Sequence, residues 1–130
     1  MPKFKVLQVK RDKSQSTREV YIVGDKYVLK RGLDDYGEAQ NIAEAYQWRA
    51  LSKSPDRDSF MPVISYDPNG DWLIQRKADK VVRRDPGDKL RNALLPVAQR
   101  YGVRDVWAGN FGYHQDRLVV FDYGINKKYY

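Results

Sequence analysis

The chain has 130 residues, no cysteine and a net charge of +7 that arises from 24 basic and 17 acidic side chains. Apolar residues make up 42% and charged residues 32%, which predicts one globular domain with a modest core and excludes a disordered chain. The absence of cysteine excludes disulfides and thiolate metal sites, and no apolar run reaches the length of a signal peptide or a membrane span. We therefore expect a soluble, cytoplasmic protein whose basic surface attracts polyanions.

The first part of the chain predicts an antiparallel sheet and one helix. Segments rich in β-branched, aromatic or alternating apolar residues predict strands at 4–10, 19–23, 26–30, 61–66 and 72–75. Turn signals separate them at Gly24-Asp25 and at Asp67-Pro68-Asn69-Gly70-Asp71. Alanine, glutamate and glutamine are frequent in residues 38–51, which predicts an amphipathic helix between the third and fourth strands.

The second part predicts a linker, a helix and a hairpin. Residues 78–88 are charged and contain Pro86-Gly87, which is typical of a linker. Residues 89–101 predict a helix, although Pro96 within it indicates a kink or a break. A polar loop over 103–112 then leads to a hairpin that turns at residues 114–116 into a strand over 117–121.

The last quarter of the sequence carries the most specific pattern. Val103-Arg104-Asp105 is followed five residues later by Asn110, and Asp122-Tyr123-Gly124 follows the predicted strand. This arrangement resembles the His-Arg-Asp…Asn and Asp-Phe-Gly segments of the protein-kinase-like superfamily, with a valine and a tyrosine in place of the histidine and the phenylalanine. A single Asp or Asn in a loop is commonly a turn former or a cap, so the resemblance depends on all three positions and on the element order.

The resemblance implies an α+β fold of a minimal kinase-like type and covers roughly residues 4–124. Residues 1–76 of the single domain 1–130 would form a small-lobe-like part, with an antiparallel sheet of about five strands and one αC-like helix. Residues 77–130 would form a reduced large-lobe-like part, with a second helix and a catalytic-loop hairpin. Because the sequence ends six residues after Gly124, we expect no activation segment and no platform for a peptide substrate, as in compact kinase-like proteins of bacteriophages and bacteria.

The resemblance also implies roles for individual side chains. Asp105 would accept a hydrogen bond, or the proton, from the attacking hydroxyl group. Asn110 and Asp122 would hold Mg²⁺, which prefers oxygen ligands and binds few protein groups. Lys30, at the end of the third strand, would contact the phosphates of ATP and pair with a glutamate of the first helix.

Glu44 is the predicted partner of Lys30, and Glu38 is the alternative. Six residues separate the two glutamates, which is about 600° of helix rotation, so at most one of them faces Lys30. The predicted catalytic residues are therefore Asp105, Lys30 and Glu44.

The glycine-rich phosphate loop of the family is missing from residues 11–17. Ser14 and Ser16 are predicted to contact the phosphates through their side chains, although a plain hairpin loop explains this segment equally well. Gln75 and Lys77 lie in the segment where a kinase hinge would run, and its backbone could pair with an adenine edge. The resemblance thus implies ATP and Mg²⁺ as cofactors, with these four residues and Lys30 at the nucleotide.

Three functions stay open from the sequence. The first is a phosphotransferase that binds Mg-ATP and acts on itself, on a small molecule or on a partner. The second is a catalytically weak or inactive pseudokinase-like module that binds and regulates a host protein, which the missing glycines favour. The third is a nucleic-acid-binding protein, which the charge of +7 favours. We expect a nucleotide as the main partner, a homodimer as one way to complete the site, and no membrane association.

Overall fold

The computed structural model describes residues 4–7, 17–104 and 106–124, and these residues build an α+β fold of two antiparallel sheets and two helices. The elements in chain order are β1 (Phe4–Leu7), β2 (Arg18–Val23), β3 (Tyr27–Gly32), α1 (Asp35–Ala50), β4 (Val63–Tyr66), β5 (Trp72–Arg76), β6 (Lys80–Val81), α2 (Lys89–Arg100), β7 (Phe111–His114) and β8 (Arg117–Val120). Two short 3-10 helices, at Pro55–Ser59 and Pro86–Asp88, precede β4 and α2.

The larger sheet has the strand order β1-β2-β3-β5-β4, which confirms the five antiparallel strands predicted from the first part of the sequence. Val20 on β2 lies opposite Lys30 on β3, and Lys30 lies opposite Leu73 on β5. Opposed residues of neighbouring strands share one face of a sheet. This face is the one from which Lys30 reaches α1, so the register of the sheet determines which side chains approach the helix.

Helix α1 begins at Asp35, three residues before the predicted start at residue 38. Asp34 caps it, since its carboxylate accepts a hydrogen bond of 2.9 Å from the Gly37 N–H. The sequence pattern did not predict this first turn, because Gly37 is a poor helix former. Glycine is required there, since a Cβ atom at residue 37 would collide with the Thr17 carbonyl. The start of β2 is thereby held against the first turn of α1.

A second sheet, in the order β6-β7-β8, lies in the second part of the chain. Strand β6 occupies two residues of the segment predicted to be a linker, and it pairs Val81 with Gly112. The prediction of a linker throughout residues 78–88 is therefore wrong at β6, because two residues are too few to show a strand pattern. The predicted loop 103–112 also ends earlier, since Phe111 and Gly112 already belong to β7.

Helix α2 runs from Lys89 to Arg100 without a break at Pro96. The proline ring is exposed to solvent, while Leu94 and Ala98 on the opposite side are buried in the core. The helix therefore accommodates the missing N–H at the expense of one intrahelical hydrogen bond. Neither helix in the described segments is both long enough and apolar enough to cross a bilayer.

The main hydrophobic core joins the two parts of the chain. Its buried members come from both parts and are Leu51, Phe60, Val82, Leu94, Ala98, Val103, Val106, Phe111, Val120 and Tyr123. The Tyr123 ring meets the Phe60 ring edge-on, with 5.1 Å between centroids, and its hydroxyl donates a 2.8 Å hydrogen bond to the Met61 carbonyl. Burial raises the pKa of Tyr123, and the Glu44 carboxylate acts in the same direction. Tyr123 thus anchors the segment that follows β8.

We predict that Tyr123→Phe lowers the free energy of unfolding at pH 7 by about 1 kcal/mol, because the Met61 carbonyl loses its donor. The folded protein retains the Tyr123 proton to higher pH than the unfolded chain, since the pKa of Tyr123 is raised in the fold. Wild-type stability therefore decreases as pH rises above about 10, and the variant lacks this component.

Urea denaturation of both proteins, at neutral pH and above about pH 10, measures this effect. The two proteins differ only at residue 123, so the difference between the two curves isolates the contribution of Tyr123. The stability gap should narrow or reverse at high pH. A gap that is unchanged between the two pH values would contradict the prediction.

Candidate functional site

A buried ion pair joins β3 to α1. The Lys30 ammonium group lies 2.9 Å from Oε2 and 3.1 Å from Oε1 of Glu44. The side chain of Lys30 is 5% exposed and that of Glu44 is fully buried. Of the two glutamates considered from the sequence, Glu44 is thus the partner. Glu38 lies in the first turn of α1, beside Gly32 and Gly70.

Lys30 also reaches the segment after β8, because its Nζ atom donates a 2.5 Å hydrogen bond to the Phe121 carbonyl. The three N–H groups of the ammonium therefore have three acceptors, two on Glu44 and one on Phe121. Burial lowers the pKa of Lys30, and the Glu44 carboxylate opposes this shift. One side chain thus connects the sheet, the helix and the segment that carries Asp122.

Asp122 lies at the edge of this cluster, and its neighbours hold the backbone on both sides. The carbonyl of Phe121 accepts from Lys30, and its N–H donates a 3.1 Å bond to the Asn110 carbonyl. On the other side, a Cβ atom at Gly124 would lie 2.6 Å from the Gln40 carbonyl, so only glycine allows the segment to approach α1 this closely. The Asp122 side chain is 19% exposed, which leaves its carboxylate accessible from outside.

Asn110 is brought to the same end of the β7–β8 hairpin. Phe111 lies opposite Val120, so Asn110 is adjacent to Phe121 across the hairpin. The Asn110 N–H donates a 2.8 Å bond to the Trp107 carbonyl, and the residue is 9% exposed. The two predicted metal ligands, Asn110 and Asp122, therefore occupy neighbouring backbone positions.

Arg18, the first residue of β2, also belongs to the cluster, although the sequence did not predict it as a site residue. Its guanidinium donates hydrogen bonds to Asp122 Oδ1 at 2.6 Å, to Glu44 Oε1 at 2.9 Å and to Asn41 Oδ1 at 3.0 Å. An arginine beside a polar loop usually indicates a solvated side chain. The alternation of β2 was the available signal, because Arg18, like Val20, lies on the face that carries Lys30.

The two residues of the predicted hinge have different environments. Gln75 is 1% exposed and lies opposite Val28, on the inner face of the sheet. Its side-chain nitrogen is buried, and the side chain lies beside the Tyr123 hydroxyl. Lys77 is partly exposed, and its backbone N–H already donates a 2.7 Å bond to the Lys26 carbonyl. The roles of both residues at a nucleotide stay predictions.

Three further predicted site residues, Ser14, Ser16 and Asp105, lie outside the described residues. The sequence neighbours of Asp105 are well fixed. Val106 is fully buried, and its carbonyl accepts a 2.6 Å hydrogen bond from the Arg91 side chain. Arg91 also lies over the ring of Trp107, 4.0 Å from its centroid. The catalytic role of Asp105 stays a prediction.

The chemistry of the cluster suits a phosphate and a hard cation. Lys30 and Arg18 supply two positive charges, and Glu44 and Asp122 supply two negative charges. Within the described segments no group of three or more histidine, aspartate or glutamate side chains could hold a metal by itself. An oxygen set of one carboxylate and one amide fits Mg²⁺, which retains water and phosphate as its other ligands.

Comparison with solved structures identifies a similar fold. The chain is similar to APH(2")-IIa in its ternary complex with streptomycin and ATP, with a TM-score of 0.57 and 12% sequence identity. The match covers 95% of this chain and 66% of that chain, so this chain spans just under two thirds of the other protein. Neither a protein-family model nor a curated protein sequence matches the chain. The structural likeness supports one conclusion, which is that the chain has an α+β, protein-kinase-like fold.

Proposed function

We propose that this chain binds Mg-ATP and transfers its terminal phosphoryl group. The observation that carries the proposal is the buried Lys30–Glu44 pair, which is hydrogen-bonded to the segment that holds Asp122. A buried ion pair is weak evidence for stability, since apolar residues of similar volume are often as stable or more so. The presence of this pair, beside a carboxylate that is accessible from outside, is better explained by a role at a ligand.

The side chains of the cluster fit the parts of Mg-ATP. Lys30 would contact phosphate oxygens, because an ammonium group forms strong charge-assisted bonds to phosphate. Asp122 and Asn110 would hold Mg²⁺, which neutralises charge on the phosphates when it is bound. Asp105, two residues from the buried Val103, would orient the attacking hydroxyl group.

The proposed transfer follows the usual balance of phosphoryl chemistry. A bond forms between the acceptor oxygen and the terminal phosphorus, and the bond from that phosphorus to the bridging oxygen of ADP breaks. The hydroxyl proton of the acceptor passes to Asp105. Among acceptors, a small molecule is favoured, because a protein of the same fold holds streptomycin and ATP in one complex.

A nucleotide-binding module without transfer activity is the second candidate. One contact favours it, since Arg18 already forms a 2.6 Å ion pair with the carboxylate that would hold the metal. In such a module Lys30 and Glu44 would position the nucleotide, and regulation of a partner protein would replace catalysis. The two candidates share the nucleotide site and differ in the chemical step.

We predict that ATP with magnesium raises the melting temperature of the wild type by several degrees, because a ligand that binds only the folded state stabilises it. At about 100 times the Kd the gain is about 2.7 kcal/mol. Asp122→Asn should lose most of the part of this rise that depends on magnesium, since the amide removes one charge from the metal site without changing its size.

Asp116→Asn is the matched control for this melting experiment. Asp116 is exposed at the β7–β8 turn with φ of 62°, a conformation that asparagine tolerates well. The control should retain the full magnesium-dependent rise. A wild type that shows no shift with ATP at saturating concentration would refute the proposed nucleotide site.

We predict that Lys30→Met and Glu44→Leu each cost about 3–5 kcal/mol of stability, because each leaves an unbalanced buried charge. The double variant should recover most of that loss, since Arg18 and Asp122 then form a balanced pair. It should nevertheless show no ATP-dependent rise in melting temperature. Urea unfolding tests the recovery of stability, and melting with ATP tests the loss of binding. If the stability losses of the two single variants simply add in the double variant, the predicted recovery is contradicted.

We predict that Asp105→Ala reduces phosphoryl transfer by at least about 100-fold, because the attacking hydroxyl loses its base. The rise in melting temperature with Mg-ATP should remain, since Asp105 does not contact the nucleotide in this proposal. Release of ADP in the presence of candidate acceptors measures the transfer. If the wild type binds Mg-ATP and the variant releases ADP at the wild-type rate, then the module without transfer activity is the better description.

A further inference from the structure

Arg18 is built into the site rather than exposed on the surface. Its side chain is 8% exposed, and three hydrogen bonds join its guanidinium to Asp122, Glu44 and Asn41. An arginine that served only solubility would lie in solvent, where it loses less side-chain entropy. The position of this guanidinium therefore requires an explanation.

The partner on α1 is itself oriented by the fold. Asn41 is 1% exposed, and its side-chain nitrogen donates to the carbonyls of Lys30 at 3.1 Å and Gly70 at 2.8 Å. Because both amide hydrogens are used in this way, the amide oxygen is directed toward Arg18. The backbone before Arg18 is also held, since the Thr17 carbonyl lies where a Cβ atom of Gly37 would be.

The contact between Arg18 and Asp122 joins the expected phosphate-binding segment of a kinase-like site to its expected metal-binding segment. Arg18 begins the strand that follows residues 11–17, the segment that lacks the phosphate-binding glycines. Asp122 is the predicted metal ligand, and its Oδ1 atom is the one that Arg18 contacts at 2.6 Å. The Asp122 carboxylate cannot bind the guanidinium and a divalent cation equally strongly at the same time, because the two positive charges repel each other.

We propose that Arg18 binds phosphate in the nucleotide site. When ATP binds, the Arg18 guanidinium leaves the Asp122 carboxylate for the triphosphate, and it so supplies part of the positive charge that the metal would otherwise provide. Guanidinium suits this role, because its planar fork binds two phosphate oxygens at once. It would supply from β2 the donors that the missing glycines do not provide. The inference rests on the proposed nucleotide binding and adds to it that the site retains affinity for ATP without a divalent cation.

The test is the affinity for ATP measured by calorimetry in magnesium and in EDTA, for the wild type and for Arg18→Met. Wild-type affinity should fall by no more than about tenfold when the metal is removed, since Arg18 compensates. In Arg18→Met the affinity in EDTA should fall at least about tenfold more than the affinity in magnesium. This ratio is informative because a merely structural defect would weaken both affinities to the same extent.

Two further variants keep the test decisive. Arg18→Lys retains the charge without the planar fork, so it should fold if Arg18→Met does not and should show an intermediate ratio. Arg31→Met removes the same charge from the other face of β3, where Arg31 is 61% exposed and pairs with Glu19 at 3.3 Å. This control should leave the ratio unchanged.

The outcomes separate the inference from the proposed function. A wild type that binds ATP only with magnesium, or an Arg18 variant with an unchanged ratio, would overturn the role of Arg18 and leave the nucleotide site intact. A wild type that binds ATP under neither condition would overturn the proposed function, and the inference with it. A ratio that changes in Arg18→Met and not in Arg31→Met would support both.

Discussion

The Lys30–Glu44 ion pair is the interaction on which the rest of the site depends. Glu44 is fully buried and accepts from two cations, Lys30 and Arg18, so it fixes the position of both. Lys30 in turn holds the Phe121 carbonyl. A charge this deep is stable only when its partners are present, so β2, β3, α1 and the segment after β8 must all be in place together. Burial of the pair therefore requires that these four elements assemble around it.

The position of Asp122 illustrates how packing can direct a polar group. Tyr123, the next residue, is fully buried against Phe60, and Gly124 lies against the backbone of α1. Phe121, the preceding residue, is held by Lys30. Because its neighbours are fixed on both sides, the backbone of Asp122 is fixed as well, and its partly exposed carboxylate lies against Arg18 at the edge of the cluster. The apolar core thus fixes the position of Asp122, although the Asp122 carboxylate lies outside that core.

Motif and element order predicted much of this arrangement, and contacts distant in sequence account for what they missed. The five-stranded sheet follows from strand alternation, and helical spacing indicates that only one of Glu38 and Glu44 can face Lys30; both are local properties. Arg18 and β6 were not predicted, because each is defined by a partner elsewhere in the chain. The first turn of α1 was missed for a related reason, since Gly37 is selected by contact with Thr17 and not by helix propensity.

The ion pair between Arg18 and Asp122 spans 104 positions of the sequence. The entropy that is lost when so long a loop closes must be compensated by contacts that form at the same time. For this reason, folds rich in distant contacts form slowly. During synthesis, the five-stranded sheet and α1 leave the ribosome long before Asp122 does. Until then Glu44 and the two cations have no second carboxylate to balance them. Docking of the segment that carries Asp122 therefore supplies the second carboxylate that balances the two cations.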